Sequence, residues 1–250
     1  GAALAGMRPV ADMHFADFIG VCMDEVFNQM AKVYYMFGAQ KSVPLVLRAP
    51  DGIINQAAAQ HSQTVEAWFA HIPGLKVVIP SNPADAKGLL KAAIRDENPV
   101  IYFEHKGLFP MKGDVPEGEH LVEIGKEGTD LTIVSYSMMM HHAAKAADRL
   151  AAEGVSVELI DLRSISPWDK ETVLKSVAKT GRLCVAQEAV KQGGFAAEVV
   201  ATICEEGLEY LDAPIARVGA PFSPVPFARP LEQAYKVSAD TIYDAVRKIL

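Results

Sequence analysis

Short runs of β-branched and apolar residues recur along the chain, each followed by a longer stretch with apolar residues at helical spacing, and this alternation restricts the fold more than any other feature. A strand feeding a crossover helix packs back as a βαβ unit, so the order predicts α/β architecture with parallel sheets covered by helices. The predicted strands are residues 43–48, 76–79, 100–104, 131–136, 155–161, 183–187 and 215–218. Helices are predicted over 15–37, 83–95, 139–153, 168–180, 195–206 and 239–250, several opening after Ser, Asn, Asp or Pro. Between Lys106 and Asp130 the pattern breaks into glycine, proline and charge, which divides the chain into a first unit over 1–120, a linker over 121–128 and a second unit over 129–250. The opening Gly1-Ala2-Ala3-Leu4-Ala5-Gly6 reads as the interior of a packed small-residue helix, and the first unit as one that lacks its opening strand.

Composition excludes several classes. With 250 residues, half of them apolar, the chain can bury one large core or two smaller ones. The net charge of −7 is shared almost equally between the halves, so neither offers the basic face that nucleic acid requires. Cys22, Cys184 and Cys204 form no CxxC or Cys/His cluster and are expected as buried free thiols in a reducing compartment. No secretory signal is visible within these residues, and apolar runs such as 43–47 fall short of a membrane span.

Neither a GxxxxGK[ST] loop nor a GxGxxG turn occurs, which removes the common nucleotide-binding routes. Gln192-Gly193-Gly194-Phe195 stands between a strand and a helix, either as an anion-binding turn or as a plain tight turn. In Ala57-Ala58-Ala59-Gln60-His61-Ser62-Gln63 an imidazole lies among small residues. Because imidazole titrates near neutrality, His61 is either a proton donor and acceptor or a helix-start histidine bonded to backbone with Ser62 as cap. His14, beside Phe15 and Phe18, suits either an aromatic pocket or core packing, and His141 and His142 are expected on solvated surface. Glu104 and Glu188 stand at strand ends, where parallel sheets place functional side chains or structural ones. Glu205, Glu206, Glu209 and Asp212 make an acidic helix end that opposes the helix dipole, a solvated face or a surface for a cationic partner.

Taken in order, Gly6-Met7-Arg8-Pro9, Phe15-Ala16-Asp17-Phe18, Ala58-Ala59-Gln60-His61-Ser62-Gln63, His71-Ile72-Pro73-Gly74-Leu75, Asp161-Leu162-Arg163-Ser164-Ile165-Ser166-Pro167 and Gly193-Gly194-Phe195 carry a family resemblance. The sequence resembles the β subunits of the thiamine-diphosphate-dependent 2-oxo acid dehydrogenase decarboxylase component, those of pyruvate, branched-chain and acetoin dehydrogenases, over nearly its whole length. The resemblance implies a pyrimidine-binding transketolase-like domain, N-terminally truncated, followed by a transketolase C-terminal-type domain. It implies an α2β2 assembly in which the α subunit holds Mg2+ and the diphosphate while the β subunit embraces the aminopyrimidine. It further implies oxidative decarboxylation or cleavage with acyl transfer to lipoyl on a dihydrolipoyl acyltransferase core, in the bacterial cytoplasm or else the mitochondrial matrix.

Residue by residue, the resemblance aligns His61 with the active-site histidine, and His14 and Phe18 with positions around the pyrimidine. Leu45, Ala93, Ile94, Asp96 and Asn98 align with a potassium site of some members. The acidic group Glu205, Glu206, Glu209 and Asp212 is assigned to the acyltransferase's basic peripheral domain. The family's catalytic glutamate falls upstream of the segment matching Gly1 to Gly6, outside these residues. That departure opens two readings: a catalytic β subunit, or an assembly subunit or fragment that only binds the acyltransferase through its C-terminal domain. The substrate stays open, since Phe18-Ile19-Gly20-Val21-Cys22 and Phe103-Glu104-His105-Lys106 resemble acetoin-type subunits and Gly193-Gly194-Phe195-Ala196 branched-chain ones.

Overall fold

The computed structural model describes residues 1–117 and 124–250. Its strands are β1 (Val10–Asp12), β2 (Val46–Asp51), β3 (Lys76–Val78), β4 (Val100–His105), β5 (Ile124–Lys126), β6 (Leu131–Ser135), β7 (Val157–Asp161), β8 (Ser164–Ser166), β9 (Leu183–Val190) and β10 (Ala216–Ala220). The α-helices are α1 (Ala31–Met36), α2 (Glu66–Ala70), α3 (Pro83–Arg95), α4 (Met138–Ala152), α5 (Lys170–Thr180), α6 (Ala196–Glu206), α7 (Arg229–Tyr235) and α8 (Ala239–Val246). No helix among the described residues is long and apolar enough to cross a membrane.

The chain forms two compact units, one of Gly1–Leu121 with Arg163–Pro167, the other of Val122–Leu162 with Trp168–Leu250. The first holds a five-stranded sheet in the order β1-β2-β4-β3-β8, parallel except for β8, which runs antiparallel to β3. A contiguous split therefore does not describe this unit: Arg163 pairs with buried Asp85 at 2.7 Å and the Ile79 amide donates to its carbonyl, which docks the following strand on β3. The segment expected as a linker over 121–128 lies outside the described residues for 121–123, and its continuation is β5, antiparallel to β7 in the second sheet, β10-β9-β6-β7-β5.

Strands β2, β4, β6 and β9 bury almost every residue, as parallel strands covered on both faces must. Against β4 packs α3, started by Asn82, whose side chain accepts from the Asp85 amide at 2.9 Å, with Pro83 in its first turn. Tyr102 at the core of that layer donates its hydroxyl to the Ala86 carbonyl at 2.6 Å, and Val46, Val100 and Ala93 close around it. In the second unit Thr132, Ser176 and Thr180 satisfy one another beneath α5, at 2.6 and 2.7 Å.

The single helix expected over 15–37 is instead a 3-10 stretch (Ala16–Cys22), a widened π-type stretch (Glu25–Met30) and α1. Its buried residues dictate this. Ala16 and Ile19 are three apart, which suits tight winding, whereas Val26, Met30 and Ala31 are four and five apart, which suits wide winding. The expectation of uniformly buried thiols also needs correction: Cys184 is buried, its thiol pushed up to about 12 by desolvation, but Cys22 is half-buried and Cys204 lies on the outer face of α6. His141 and His142 are half-buried on α4 rather than solvated.

Candidate functional site

In the first unit the chain leaves β1, β2 and β4 at one edge of the sheet, because parallel strands present all their carboxyl ends together. Three segments follow from that edge: residues 13–18 after β1, the loop 52–63 after β2, and His105-Lys106-Gly107 closing β4. The loop after β2 is conformationally costly. Asn55, Gln56 and Ala58 sit at φ 31°, 59° and 59°, a left-handed region that non-glycine residues seldom occupy.

That loop delivers His61 to an aromatic corner. Its ring meets Phe15 edge-on with centroids 4.8 Å apart and Phe18 at 5.3 Å, while Phe15 and Phe18 stand 5.6 Å apart in the same T-shaped manner. Beneath it, the buried Lys106 ammonium donates to the His61 carbonyl at 2.6 Å and lies 4.9 Å from the centre of the Phe15 ring. Asp17 accepts from both the main-chain and side-chain amides of Gln63, at 3.1 and 2.9 Å. Helix α2 begins at Glu66, so His61 is not at a helix start, and Ser62 caps nothing: it is buried, and its hydroxyl has no hydrogen-bond partner among the described residues.

His105 is buried and packs its ring directly over Gly52, at φ 84°, where a Cβ would collide with it. Its Nδ1 accepts from the Gly107 amide at 3.0 Å, so the neutral ring carries its proton on Nε2. Beside His105, a cavity of about 260 Å3 opens against Asn82, Pro83 and Phe109. Glu104 proves structural. Burial raises its carboxyl above the ordinary range while Arg48 on β2 opposes the shift, and the same guanidinium also holds Asp12 on β1.

The other expected site residues are distributed unevenly. Phe18 joins the aromatic corner, whereas His14 is exposed and makes no ring contact with it. Leu45, Ala93, Ile94, Asp96 and Asn98 converge at the end of α3, but Arg8 Nη1 already donates to the carbonyls of Ile94 and Asp96, at 3.2 and 2.9 Å. Burial would raise the Asp96 carboxyl, yet Lys76 and the Asn98 amides outweigh it and hold the group below its usual range. A potassium ion would therefore share oxygens already facing a guanidinium, a poor fit for the residues as they stand. In the second unit Glu205, Glu206, Glu209 and Asp212 are all exposed, but both Glu206 oxygens are taken by Lys170 at 2.7 and 2.9 Å. The Gln192-Gly193-Gly194-Phe195 turn is a tight turn, with Gly193 at φ 69° and the Ala196 amide donated to Gln187 at 2.7 Å. Buried Glu188 faces Tyr235, whose hydroxyl it helps to raise after desolvation.

Among the described residues no group of three or more His, Cys, Asp or Glu side chains is arranged to hold a metal. The corner of Phe15, Phe18 and His61 does fit a flat heterocycle, since Phe18 remains 38% exposed and offers that surface beside the imidazole.

Residues 1–112 match the family described as transketolase, pyrimidine binding domain, and residues 120–242 match transketolase, C-terminal domain. Over its entire length the chain is 48% identical to the acetoin:2,6-dichlorophenolindophenol oxidoreductase subunit beta of Cupriavidus necator, spanning 75% of that protein. It is 44% identical to the 2-oxoisovalerate dehydrogenase subunit beta of Bacillus subtilis, again over its whole length and 78% of the relative. Among solved structures, a split-gene transketolase described as an inactive beta4 tetramer superposes with a TM-score of 0.82 at 26% identity, covering 99% of this chain and 77% of that one.

Proposed function

The chain belongs to the β subunits of thiamine-diphosphate-dependent 2-oxo acid and acetoin dehydrogenases, and we propose that its aromatic corner, with His61 at the apex, is the β-subunit half of their active site. The observation that carries this reading is the convergence of Phe15, Phe18 and His61 at the carboxyl edge of the first sheet, with His61 held from beneath by Lys106. When bound, thiamine diphosphate supplies the nucleophilic carbon and the electron sink for cleavage beside the substrate carbonyl.

This chain's residues supply the rest. The exposed Phe18 face, backed by Phe15, would hold the aminopyrimidine, orient it and keep water from one side. His61 delivers a proton to the lipoyl sulfur released when the disulfide opens and the acyl group bonds to the other sulfur, a role open to an imidazole because it can both give and take a proton. His14, exposed in the segment between β1 and Phe15, is assigned to the same pyrimidine surroundings on its alignment with the family and not on a contact. In this reading the α partner holds Mg2+ and the diphosphate. A partner face is available: Phe27, Tyr34, Met36 and Phe37 are exposed and Tyr35 is 84% exposed, a cluster of large apolar side chains in one stretch of the chain. Glu205 and Glu209, left free of intramolecular pairing among the described residues, suit the basic domain of an acyltransferase core.

The test is reconstitution with a matching α subunit, thiamine diphosphate and Mg2+, assayed both with an artificial electron acceptor and with a lipoyl domain. His61→Ala is expected to reduce lipoyl transfer by about 100-fold or more. Cofactor affinity should change by less than about threefold, because the ring packs chiefly on Phe18. Equal losses in both would make His61 structural and end this reading.

A further inference from the structure

We infer that Lys106 is the positioning residue for His61, a buried ammonium that fixes the imidazole by gripping the main chain behind it and the ring in front of it. The inference rests on the reading of His61 given above. A lysine is seldom buried unless its charge is answered, and here two of the answers lie in the site: the His61 carbonyl at 2.6 Å and the face of Phe15 at 4.9 Å. Those two contacts are the wall and the apex of the aromatic corner. One ammonium with three donor directions therefore sets the distance between them.

The loop needs such a grip at this point. Three left-handed residues between 55 and 58 give the segment a conformation with low-lying alternatives, and His61 is the functional side chain that follows. Two residues further on, Asp17 holds Gln63 by two hydrogen bonds, so the loop stays anchored whether or not Lys106 is present. Removing the ammonium should accordingly leave the fold intact and free the peptide at residue 61 to turn, which moves the imidazole off the aromatic edge. A lysine kept only for packing could be replaced by methionine without this consequence.

The experiment uses the reconstituted α2β2 enzyme with thiamine diphosphate and Mg2+ bound, comparing wild type, Lys106→Met, Lys106→Arg and His61→Ala. Lys106→Met is expected to lower kcat for lipoyl transfer about tenfold, with KM and cofactor affinity within about twofold, the pattern of a misplaced group. Its pH–kcat profile should shift, and amide exchange across residues 57–62 should accelerate about fivefold or more while α2 is unchanged, since local opening follows the lost bond. Lys106→Arg, which keeps charge and donors, should restore most of kcat and the wild-type profile. If the methionine variant fails to assemble, Lys106→Gln is read by the same exchange and pH measurements. Unchanged exchange across 57–62 together with an unchanged profile in either variant overturns the inference. The two readings separate cleanly: full turnover in His61→Ala removes the role of His61, whereas exchange and the pH–kcat profile of the Lys106 variants together decide whether Lys106 positions it.

Discussion

The two sheets share one plan and use it differently. Each has four parallel strands and one antiparallel edge strand. In the first, the carboxyl edge gathers buried ionisable groups, namely Asp51, His105 and Lys106, below a loop with three left-handed residues. The second sheet buries Asp161 and Glu188 toward its carboxyl edge as well, but it binds others of its polar groups into closed internal sets: Thr132 with Ser176 and Thr180, and Glu158 with Lys179 and the Gly128 amide at 3.1 Å. A shared count and direction of strands therefore says little about where chemistry sits. Residues that leave the strand ends decide it, and the signature is polar burial directed outward at an edge rather than inward at a neighbouring element.

The contrast breaks most visibly at Gly52. Its φ of 84° and the His105 ring over its missing side chain mean that Gly52→Val forces both a strained backbone and a displaced imidazole. We expect thiamine-dependent turnover of the reconstituted enzyme to fall about 100-fold and the unfolding free energy by about 2–4 kcal/mol. Turnover preserved in a destabilised protein would show that the first edge is as indifferent to distortion as the second.

A smaller effect, confined to stability, is expected at Glu158. Burial pushes its carboxyl up, but Lys179, Ser176 and the Gly128 amide outweigh that and hold it below the ordinary 4.5. A carboxyl lowered in the folded state adds stability above its unfolded value and loses it as pH falls through the lower folded one. Wild type should therefore weaken between pH 4.5 and more acid conditions by more than Glu158→Gln does. At neutral pH the glutamine variant should be about 1–3 kcal/mol less stable, with turnover per folded molecule unchanged. Urea melts across pH, paired with the dye-reduction assay, check both; an activity loss matching the stability loss would join the second sheet to the chemistry.

How far the sequence carried these conclusions differs in the same way between regions. Period and end signals located the interior strands and α3 to α6 within one to three residues, because fully buried parallel strands and capped helices are written locally, as at Asn82-Pro83 and at Asp169, which accepts from the Thr172 amide. The short strands β1, β5 and β8 escaped, since three residues carry no period and their pairing depends on distant partners such as Val46 and Val78. Phe15, Phe18 and His61 were legible as individuals, but their meeting is a long-range fact. His105 and Lys106 stand out in the sequence only within Phe103-Glu104-His105-Lys106, a stretch resembling acetoin-type subunits, although a cation and an imidazole immediately after a predicted parallel strand were the available signal for a place at the site. Arg8 on the carbonyls of Ile94 and Asp96 had no local mark at all, because it bridges 86 and 88 residues.

The finest test concerns whether the strain in the first edge is used or merely tolerated. Ala58 at φ 59° carries a conformational cost of order 1 kcal/mol that glycine would relieve, while glycine also widens the unfolded ensemble by about 0.4–1 kcal/mol. The two nearly offset, so Ala58→Gly should alter stability by no more than about 1 kcal/mol in either direction. If Lys106 and Asp17 fix His61 and Gln63 as their contacts indicate, the orientation of the imidazole does not depend on strain in residue 58. Turnover should then stay within about twofold of wild type, because no group in the corner is displaced. A glycine variant of normal stability that loses tenfold or more in lipoyl transfer would locate the positioning force in the loop's own backbone, and the buried ammonium would become its consequence rather than its cause.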